Sequence, residues 1–259
     1  MVSKKVIIIT GGTSGIGEAT LKRLSLHNRV YSLARTCKED SENVKYYSCD
    51  ITDYNRIKDC IDRIYNVEGR IDVLINCAGM GVQGAFMDFS KENILQQVNV
   101  NLMGTLSATR IVGKYIVESK GYILNIGSVA GELPLPYQTL YSATKSAIST
   151  FTEGLQMELK SFGVHVKCLL PGDVQTSFTA RRVVVKSENE QSQKNLEKIE
   201  KDENNGMTPL CIAKKVESML RDSSYKVKYT VGFQYHLFLF LNKILPRGFV
   251  LKVLSKLYS

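Results

Sequence analysis

Short apolar runs alternate with longer amphipathic stretches along the chain. The apolar runs, rich in β-branched residues, lie at 5–9, 29–34, 44–48, 71–75, 121–126 and 164–170. Most are too continuously apolar for a half-exposed strand, so they predict parallel strands covered on both sides. The stretches with helical character lie at 17–28, 54–68, 91–118 and 142–162. This order predicts an α/β fold, a Rossmann-like doubly wound parallel sheet with helices on both faces.

A polar stretch over residues 187–206 breaks the alternation. Its composition is that of a solvated surface helix or a disordered loop. Its position, directly after the last of the motifs described below, supports a second interpretation, a mobile lid beside an active site.

Length and composition are those of one ordinary globular domain. The 259 residues are 44% hydrophobic and 23% charged, enough to bury a core without disulfide or metal staples. The six cysteines include no C-x-x-C pair and no His/Cys cluster, so the sequence predicts no metal site and suits a reducing compartment. The apolar run at 6–9 is too short for the core of a signal peptide. A cytoplasmic location is therefore expected.

The chain is basic, with a formal net charge of +9. Such a balance fits nucleic acid, a membrane surface or an anionic small ligand. Lysine and arginine are interleaved with acidic residues and form no stripe with aromatics, so we expect no nucleic-acid partner.

A glycine-rich turn follows the first predicted strand and opens a helix. The segment reads Thr10-Gly11-Gly12-Thr13-Ser14-Gly15-Ile16-Gly17. Glycines let the backbone approach a pyrophosphate, which then lies on the amides and positive dipole of the helix N-terminus. A glycine turn alone is weak evidence, but its place in the first βαβ unit strengthens the prediction.

The second predicted strand ends in Arg35, where a unit that binds NAD would carry an acid for the ribose hydroxyls. An arginine can bind a 2′-phosphate through two hydrogen bonds, whereas an acid would repel it. NADP(H) is therefore favoured over NAD(H). The alternative is that Arg35 is only a surface charge and that Glu39 or Asp40 binds the ribose.

Tyr141 and Lys145 are four residues apart and would share one face of a helix. A neighbouring ammonium stabilises a phenolate, so the pair predicts a tyrosine whose pKa is lowered toward the range of efficient proton transfer. Ser128 stands thirteen residues upstream at the end of an apolar strand. A serine there faces the crevice in which such sheets bind ligands, where it could polarise a carbonyl oxygen.

In these motifs the sequence resembles the short, single-domain branch of the short-chain dehydrogenase/reductase family, over about residues 4–185. Asp50-Ile51 is similar to the segment that the family places against the adenine. Asn76-Cys77-Ala78-Gly79 differs from the usual form only at the cysteine. The segment 171–176 is similar to the one that closes over the nicotinamide, and Asn101 matches the asparagine of the family's catalytic tetrad. The resemblance implies a cofactor site made of Gly11, Thr13, Ser14, Gly15, Ile16, Gly17, Arg35, Asp50, Ile51, Asn76, Ala78, Gly79, Tyr141, Lys145, Pro171, Gly172, Val174 and Thr176.

The resemblance also implies a mechanism for interconverting a ketone and a secondary alcohol. Tyr141 would donate the proton to the carbonyl oxygen, and Ser128 would hydrogen-bond that oxygen as charge develops. Lys145 would lower the pKa of the tyrosine and hold the nicotinamide ribose. Asn101 would position a water that relays protons toward Lys145.

The resemblance divides the single expected domain, residues 1–259, into three parts. Residues 1–186 would form the cofactor-binding and catalytic core, 187–206 the substrate lid, and 207–259 a segment bordering the substrate cleft. It also implies a homodimer or homotetramer built partly on the helix that carries Tyr141 and Lys145.

The C-terminal end is apolar and basic. Beyond Pro246 and Gly248, apolar residues recur at helical spacing with Lys252 and Lys256 among them. One interpretation is a helix pair that covers the substrate cleft or a subunit interface; the other is a basic amphipathic helix that makes a peripheral contact with an anionic membrane. Residues 228–232 and 245–247 are similar to the tails of family members that act on steroids, retinoids and other lipophilic carbonyls, which favours a bulky apolar substrate.

Two further functions compete with the reductase. A non-catalytic NADP(H)-binding sensor could use the same fold, but it would not need the tyrosine or the lysine. A sugar-nucleotide epimerase or dehydratase would need a larger C-terminal part. Replacing Tyr141 with Phe separates them, because a sensor would be indifferent and a reductase would lose turnover.

Overall fold

The computed structural model describes residues 4–185 and 190–258 of the chain. Six of the described strands coincide with the predicted apolar runs or fall within a few residues of them, whereas the strands at 82–83, 183–184 and 228–230 were not predicted. The strands are β1 (Val6–Thr10), β2 (Arg29–Ala34), β3 (Val44–Ser48), β4 (Val73–Asn76), β5 (Val82–Gln83), β6 (Tyr122–Ile126), β7 (His165–Leu170), β8 (Val183–Val184) and β9 (Lys228–Thr230).

Within the described residues, seven strands form one parallel sheet in the order β3-β2-β1-β4-β6-β7-β9. β1 lies between β2, where Ile8 pairs with Tyr31, and β4, where Ile8 pairs with Leu74. The chain first winds outward from β1 to β3 and then returns to β4 and winds in the opposite direction. This reversal between β1 and β4 is the topological switch point, where such sheets bind ligands at the carboxyl ends of the strands.

Helices cover both faces of the sheet. They are α1 (Gly15–Leu24), α2 (Tyr54–Glu68), α3 (Lys91–Val98), α4 (Gly104–Ser119), α5 (Thr139–Leu159), α6 (Glu190–Asn204), α7 (Pro209–Arg221), α8 (Phe233–Ile244) and α9 (Arg247–Leu257). Alternate residues of one strand point to opposite faces, so each buried strand contributes to two cores. Ile8 joins α2 and α4 in one core, and Ile7 joins α1 and α7 in the other. The predicted α/β fold, doubly wound with helices on both faces, is confirmed.

The stretch predicted as one helix over 91–118 is interrupted. α3 passes into a π-helical turn at Asn99–Met103, after which α4 begins at Gly104. A π turn inserts one extra residue without disturbing the helical spacing of apolar positions on either side, so the sequence pattern gives no sign of it. Such turns often accompany functional sites, and this one carries Asn101.

A third, smaller core holds the C-terminal helices beside the sheet edge. Tyr235 of α8 and Val250 of α9 are buried there with Leu170, at the end of β7. None of the described helices combines the length and apolarity needed to cross a membrane.

Candidate active site

A cleft of about 910 Å³ lies over the carboxyl ends of the parallel strands. The glycine turn lines one end, and residues of α6, α8 and α9 line the other. Most residues that the sequence assigns to the site line this cleft. They are Gly11, Thr13, Ser14, Gly15, Ile16, Gly17, Arg35, Asp50, Ile51, Ala78, Gly79, Ser128, Tyr141, Lys145, Pro171, Gly172, Val174 and Thr176.

The glycine turn is shaped for a phosphate. Gly11 has a φ of +72°, which favours glycine, and a Cβ at Gly17 would lie 2.2 Å from the carbonyl oxygen of Gly11. Ser14 is the N-cap of α1, and its side chain makes no capping hydrogen bond. The first amides of the helix therefore stay available to an anion, as a dinucleotide pyrophosphate requires.

Arg35, Asp50 and Ile51 lie at the same end of the cleft, at the tips of β2 and β3. The Asp50 carboxylate accepts hydrogen bonds from the backbone N–H and the hydroxyl of Thr52 at 2.9 and 2.8 Å. These bonds, with the nearby Arg35 guanidinium, hold the pKa of Asp50 below its usual value.

The alternative ribose ligands are not at this site. Asp40 accepts the N–H of Tyr46 at 2.9 Å and pairs with Lys45 at 3.3 Å. Neither Glu39 nor Asp40 lines the cleft.

Asn76 does not line the cleft, contrary to the prediction from the motif. Its side-chain amide points into the core and donates to Asn125 at 2.8 Å and to Thr109 at 3.0 Å. The hydroxyl of Thr10 accepts the backbone N–H groups of Cys77 and Ala78, each at 3.1 Å. Asn76 and Thr10 thus fix the backbone after β4, and in this segment Ala78 and Gly79 line the cleft.

Tyr141 stands on the first turn of α5 within the cleft. Burial raises the pKa of its phenol to about 12, although a hydrogen bond from Ser128 opposes this effect. The expectation from sequence of a lowered pKa is therefore wrong for this structure. Desolvation of the phenolate outweighs the stabilising groups around it.

Lys145 and Ser128 both lie near the phenol. The Lys145 ammonium donates to the carbonyl oxygen of Ile126 at 2.8 Å and lies 5.7 Å from the centre of the Tyr141 ring. Burial lowers the pKa of Lys145, because the charged form is desolvated. Ser128 caps the turn after β6 and accepts the N–H of Ala130 at 3.1 Å. Phenol, hydroxyl and ammonium therefore converge on one point of the cleft.

Asn101 lies behind this wall, in the π turn. Its amide accepts the N–H of Met80 at 2.8 Å and donates to the carbonyl oxygen of Met80 at 2.9 Å. A Cβ on Gly79 would lie 3.5 Å from the Asn101 amide oxygen and 3.8 Å from the Lys145 nitrogen. Asn101 thus supports the backbone between itself and the lysine, and its role in a proton relay stays a prediction.

Comparison with known proteins agrees with this geometry. The sequence model of the short chain dehydrogenase family matches residues 5–188, more than two thirds of the chain. The chain belongs to this family. The family match confirms the resemblance found in the sequence. The protein is therefore an oxidoreductase.

Several relatives of this short-chain dehydrogenase are informative. A 3-ketodihydrosphingosine reductase of Bacteroides thetaiotaomicron is 35% identical over 213 residues, which cover 79% of each chain. A short-chain dehydrogenase of Streptomyces avermitilis, with a solved structure, is 25% identical, with a TM-score of 0.84 over 99% of this chain and 95% of its own.

Two further solved structures contain cofactors. ElxO with NADP bound is 25% identical, with a TM-score of 0.76 over 91% of this chain and all of its own. A 3-ketoacyl-(acyl-carrier-protein) reductase of Brucella melitensis, in complex with NADH, has a TM-score of 0.77 at 22% identity over 89% of this chain and 98% of its own. A nicotinamide cofactor is thus common to the fold, in either form.

In this short-chain dehydrogenase the segment after β7 is held by a residue of α8. The Tyr235 hydroxyl donates to the Asp173 carboxylate at 2.7 Å and accepts the N–H of Asp173 at 2.9 Å. The Tyr235 ring fills the space that a Cβ on Gly172 would occupy, at 2.0 Å. The sequence pattern did not assign Tyr235 to the site.

Within the polar stretch, the described residues 190–204 form helix α6 beside the cleft. Residues 186–189 lie outside the described part of the chain, and α6 contributes Ile199, Asp202 and Glu203 to the wall. Glu203 pairs with Arg182 and accepts a hydrogen bond from Thr179. The polar stretch therefore lies beside the site, as predicted, and its described part is helical. That this helix moves as a lid stays a prediction.

Phe178 and Arg181 of the segment after Thr176 also line the cleft. The Phe178 ring lies 5.8 Å from the Tyr141 ring, and Arg182 packs over Phe178 at 5.6 Å. Arg181 donates to the Ser14 hydroxyl at 3.1 Å, so a cation stands at the glycine turn. Contacts between residues so far apart in the chain leave no mark in a single sequence.

Proposed function

We propose that this short-chain dehydrogenase uses NADP(H) to interconvert a ketone and a secondary alcohol on a lipophilic, keto-lipid-like substrate. The observation that carries the proposal is the convergence of Tyr141, Ser128 and Lys145 in a cleft that continues to the glycine turn and Arg35. A non-catalytic binding protein would have no use for this convergence.

When bound, the nicotinamide supplies the hydride, and the chain's own residues handle the oxygen and its proton. The Tyr141 phenol is protonated at neutral pH, because its pKa is about 12, and it can donate to the oxygen of a ketone. A hydrogen bond from the Ser128 hydroxyl stabilises the charge that develops on that oxygen. The Lys145 ammonium, held by the Ile126 carbonyl, keeps a positive charge beside the phenolate that remains.

Arg35 supports the preference for NADP(H). It is exposed at the tip of β2 and lines the adenosine end of the cleft. Within the described part of the chain, no salt bridge joins its guanidinium to an acid. A 2′-phosphate at this position would gain a charge-assisted contact that the ribose hydroxyl of NADH does not offer.

Arg181 supports binding of the phosphates common to both cofactors. Its guanidinium contacts the side chain of Ser14, where the positive end of the α1 dipole also points. Two positive groups at one place are complementary to an anion. The pyrophosphate of NADP(H) would provide that charge between the glycine turn and the segment that carries Arg181.

The far end of the cleft supports a lipophilic substrate. Phe178 and, from α8 and α9, Phe238, Leu254 and Leu257 give it an apolar wall, beside the acidic Asp202 and Glu203 of α6. Burying an apolar chain against such a wall is favourable by about 25 cal/mol per Å². The Bacteroides thetaiotaomicron relative, named for its action on a ketodihydrosphingosine, is compatible with a substrate of this class.

The test is oxidation of NADPH against ketones of increasing size, from small ketones to steroids and long-chain keto-lipids. We expect turnover of the larger apolar ketones, its loss in Tyr141→Phe, and unchanged binding of NADPH in that variant. Equal turnover of wild type and Tyr141→Phe would reject the catalytic role. Tight NADPH binding with no turnover of any ketone would favour the sensor instead.

A further inference from the structure

The two C-terminal helices each have an inner apolar face packed on the protein. Tyr235 and Leu239 of α8, with Val250 and Leu254 of α9, belong to the third core beside β7. Asn242, on the same side of α8, donates to the carbonyl oxygen of Glu132 at 3.3 Å. These contacts fix the orientation of both helices, and therefore also the direction in which their other faces point.

On α8 the face opposite the inner one is also apolar but exposed, and on α9 an exposed apolar row lies beside the inner face. Phe233 is 84% exposed, Phe240 and Ile244 are each 58% exposed, and Phe249 is 54% exposed. The positions follow helical spacing, so each helix carries one continuous row. We call the whole set the outer stripe: Phe233, Leu237, Phe240, Ile244, Phe249, Val253 and Leu257. Exposed apolar surface of this kind marks a site that contacts another apolar body.

Within the sequence of the two helices themselves, the charge has one sign. Residues 232–259 contain no aspartate and no glutamate, whereas Lys243, Arg247, Lys252 and Lys256 are all within them. Lys252 and Lys256 fall three residues after Phe249 and Val253, so they flank the row of α9. Lysines beside an apolar face can bury their stems and keep the ammonium group at a polar boundary.

The outer stripe adjoins the open end of the cleft. Leu257 belongs to the outer stripe and also lines the cleft, together with Phe238 and Leu254 of the same two helices. A molecule that leaves an apolar phase at the outer stripe therefore meets the apolar end of the cleft.

We propose that the outer stripe binds the surface of an anionic lipid bilayer, as a peripheral contact that turns the mouth of the cleft toward the lipid. An apolar row in a segment that carries cations and no acid of its own is complementary to acyl chains beneath negatively charged headgroups. A second copy of this chain fits less well, because symmetric pairing would bring the cations of the two copies together. Neither helix could cross the bilayer, so the contact stays at its surface.

The test is sedimentation of the full-length protein with vesicles, without substrate or cofactor, so that its outcome is separate from that of the proposed function. We expect binding to phosphatidylcholine vesicles that contain phosphatidylglycerol, weaker binding to phosphatidylcholine alone, and release as salt rises. The triple variant Phe233→Ser, Phe240→Ser, Ile244→Ser should bind at least about tenfold more weakly, because it removes most of the apolar row of α8.

Matched controls keep this test specific. Leu26→Ser removes an exposed apolar side chain outside the outer stripe, and it should bind as wild type does. The double variant Lys243→Gln, Lys252→Gln should bind anionic vesicles more weakly and phosphatidylcholine vesicles as wild type does. The control double variant Lys91→Gln, Lys214→Gln should bind both kinds of vesicle as wild type does. All of these residues are exposed, and circular dichroism would verify the fold of each variant.

Three results would overturn the proposal. One is no sedimentation of the wild-type protein with anionic vesicles at low salt. Another is equal sedimentation of the triple variant and the wild type. The third is a wild-type dimer, measured by light scattering, that the triple variant converts to a monomer while lipid binding is absent in both; that result would assign the outer stripe to a second copy of the chain.

Discussion

The phenol of Tyr141 keeps its proton through the neutral range, because burial raises its pKa to about 12. At the residue scale the phenol is therefore fully populated at neutral pH and the phenolate is scarce. Reduction of a ketone needs the phenol, and oxidation of an alcohol needs the phenolate. The two directions should therefore respond differently to pH.

For alcohol oxidation we expect kcat/KM to rise about tenfold per pH unit between roughly pH 7 and 9, since the fraction of phenolate rises in that proportion. For ketone reduction we expect a flat profile over the same range. Initial rates in both directions at saturating cofactor would measure this. An oxidation profile that levels off near neutral pH would mean that Lys145 lowers the pKa after all.

Arg35 and Arg181 should have separable effects on cofactor affinity. We expect Arg35→Ala to raise the Kd of NADPH about tenfold and to leave that of NADH unchanged, because only NADPH carries the 2′-phosphate. We expect Arg181→Ala to raise both Kd values by a similar factor, because the pyrophosphate is common to both. Calorimetric titration of both cofactors would measure the four constants.

The lysine variants serve as controls for this pair. Arg35→Lys and Arg181→Lys keep the charge and lose the planar fork, so each should recover part of the affinity. If Arg181→Ala changed the affinity for NADPH alone, the pyrophosphate assignment would fail. If it changed neither, Arg181 would have no part in the cofactor site.

At the scale of elements, the turn between β1 and α1 leaves no room for a side chain at Gly17. A Cβ there would lie 2.2 Å from the Gly11 carbonyl oxygen, whereas a Cβ at Gly113 in α4 meets nothing within 4 Å. We expect Gly17→Ala to abolish measurable binding of NADPH. Gly113→Ala should keep binding intact and stabilise the protein by about 0.5–1 kcal/mol, since alanine favours the helix. Cofactor titration and urea unfolding would test both.

The α6 helix depends on an ion pair that is nearly inaccessible to solvent. The side chains of Arg182 and Glu203 are 4% and 14% exposed. Glu203→Gln should lower the free energy of unfolding by about 3 kcal/mol, because it leaves the Arg182 charge without its partner. Replacing both Arg182 and Glu203 with methionine should recover most of the lost free energy of unfolding.

A surface pair provides the comparison for this prediction. Lys58 and Asp62 of α2 are 56% and 33% exposed, and Lys58→Gln should cost less than about 0.5 kcal/mol. Urea unfolding of the wild type, Glu203→Gln, the double methionine variant and Lys58→Gln would give the four free energies of unfolding. A loss in Glu203→Gln as small as that in Lys58→Gln would show that α6 does not rely on the pair.

Element positions were well predicted where one physical rule dominates. β2, β3 and α2 lie at the predicted residues, because apolar runs and helical periodicity are local properties. The π turn at 99–103 was missed, since it preserves the periodicity on both sides. The site was predicted from motifs close together in the chain, whereas Arg181 meets Ser14 only through the tertiary fold. Asn76 was misassigned because its motif gives the position of the backbone and not the direction of the side chain.

At the scale of the whole molecule, the cleft joins segments from both halves of the sheet. β1 and β2 carry the glycine turn and Arg35, and β6 and β7 carry Ser128 and the segment held by Tyr235. A ligand that fills this cleft therefore holds the two halves together. The stability of the whole fold should depend on the cofactor.

We expect NADPH at about one hundred times its Kd to stabilise the protein by about 2.7 kcal/mol. For a chain of this size, that corresponds to a rise in Tm of about 5–11 °C. Differential scanning fluorimetry would measure the shift. The same concentration should leave Gly17→Ala unchanged, and a shift of equal size in that variant would indicate that NADPH binds elsewhere.

Arg181 contacts Ser14 of the glycine turn, while apolar residues of α8 and α9 line the far end of the same cleft. A long substrate already seated at the apolar end would obstruct the route of a dinucleotide to the turn. Catalysis would then follow a compulsory sequence, in which the nucleotide enters first and departs last. Excess ketone should accordingly trap the enzyme with oxidised nucleotide still bound, and it should appear in steady-state rates as substrate inhibition that is uncompetitive with NADPH.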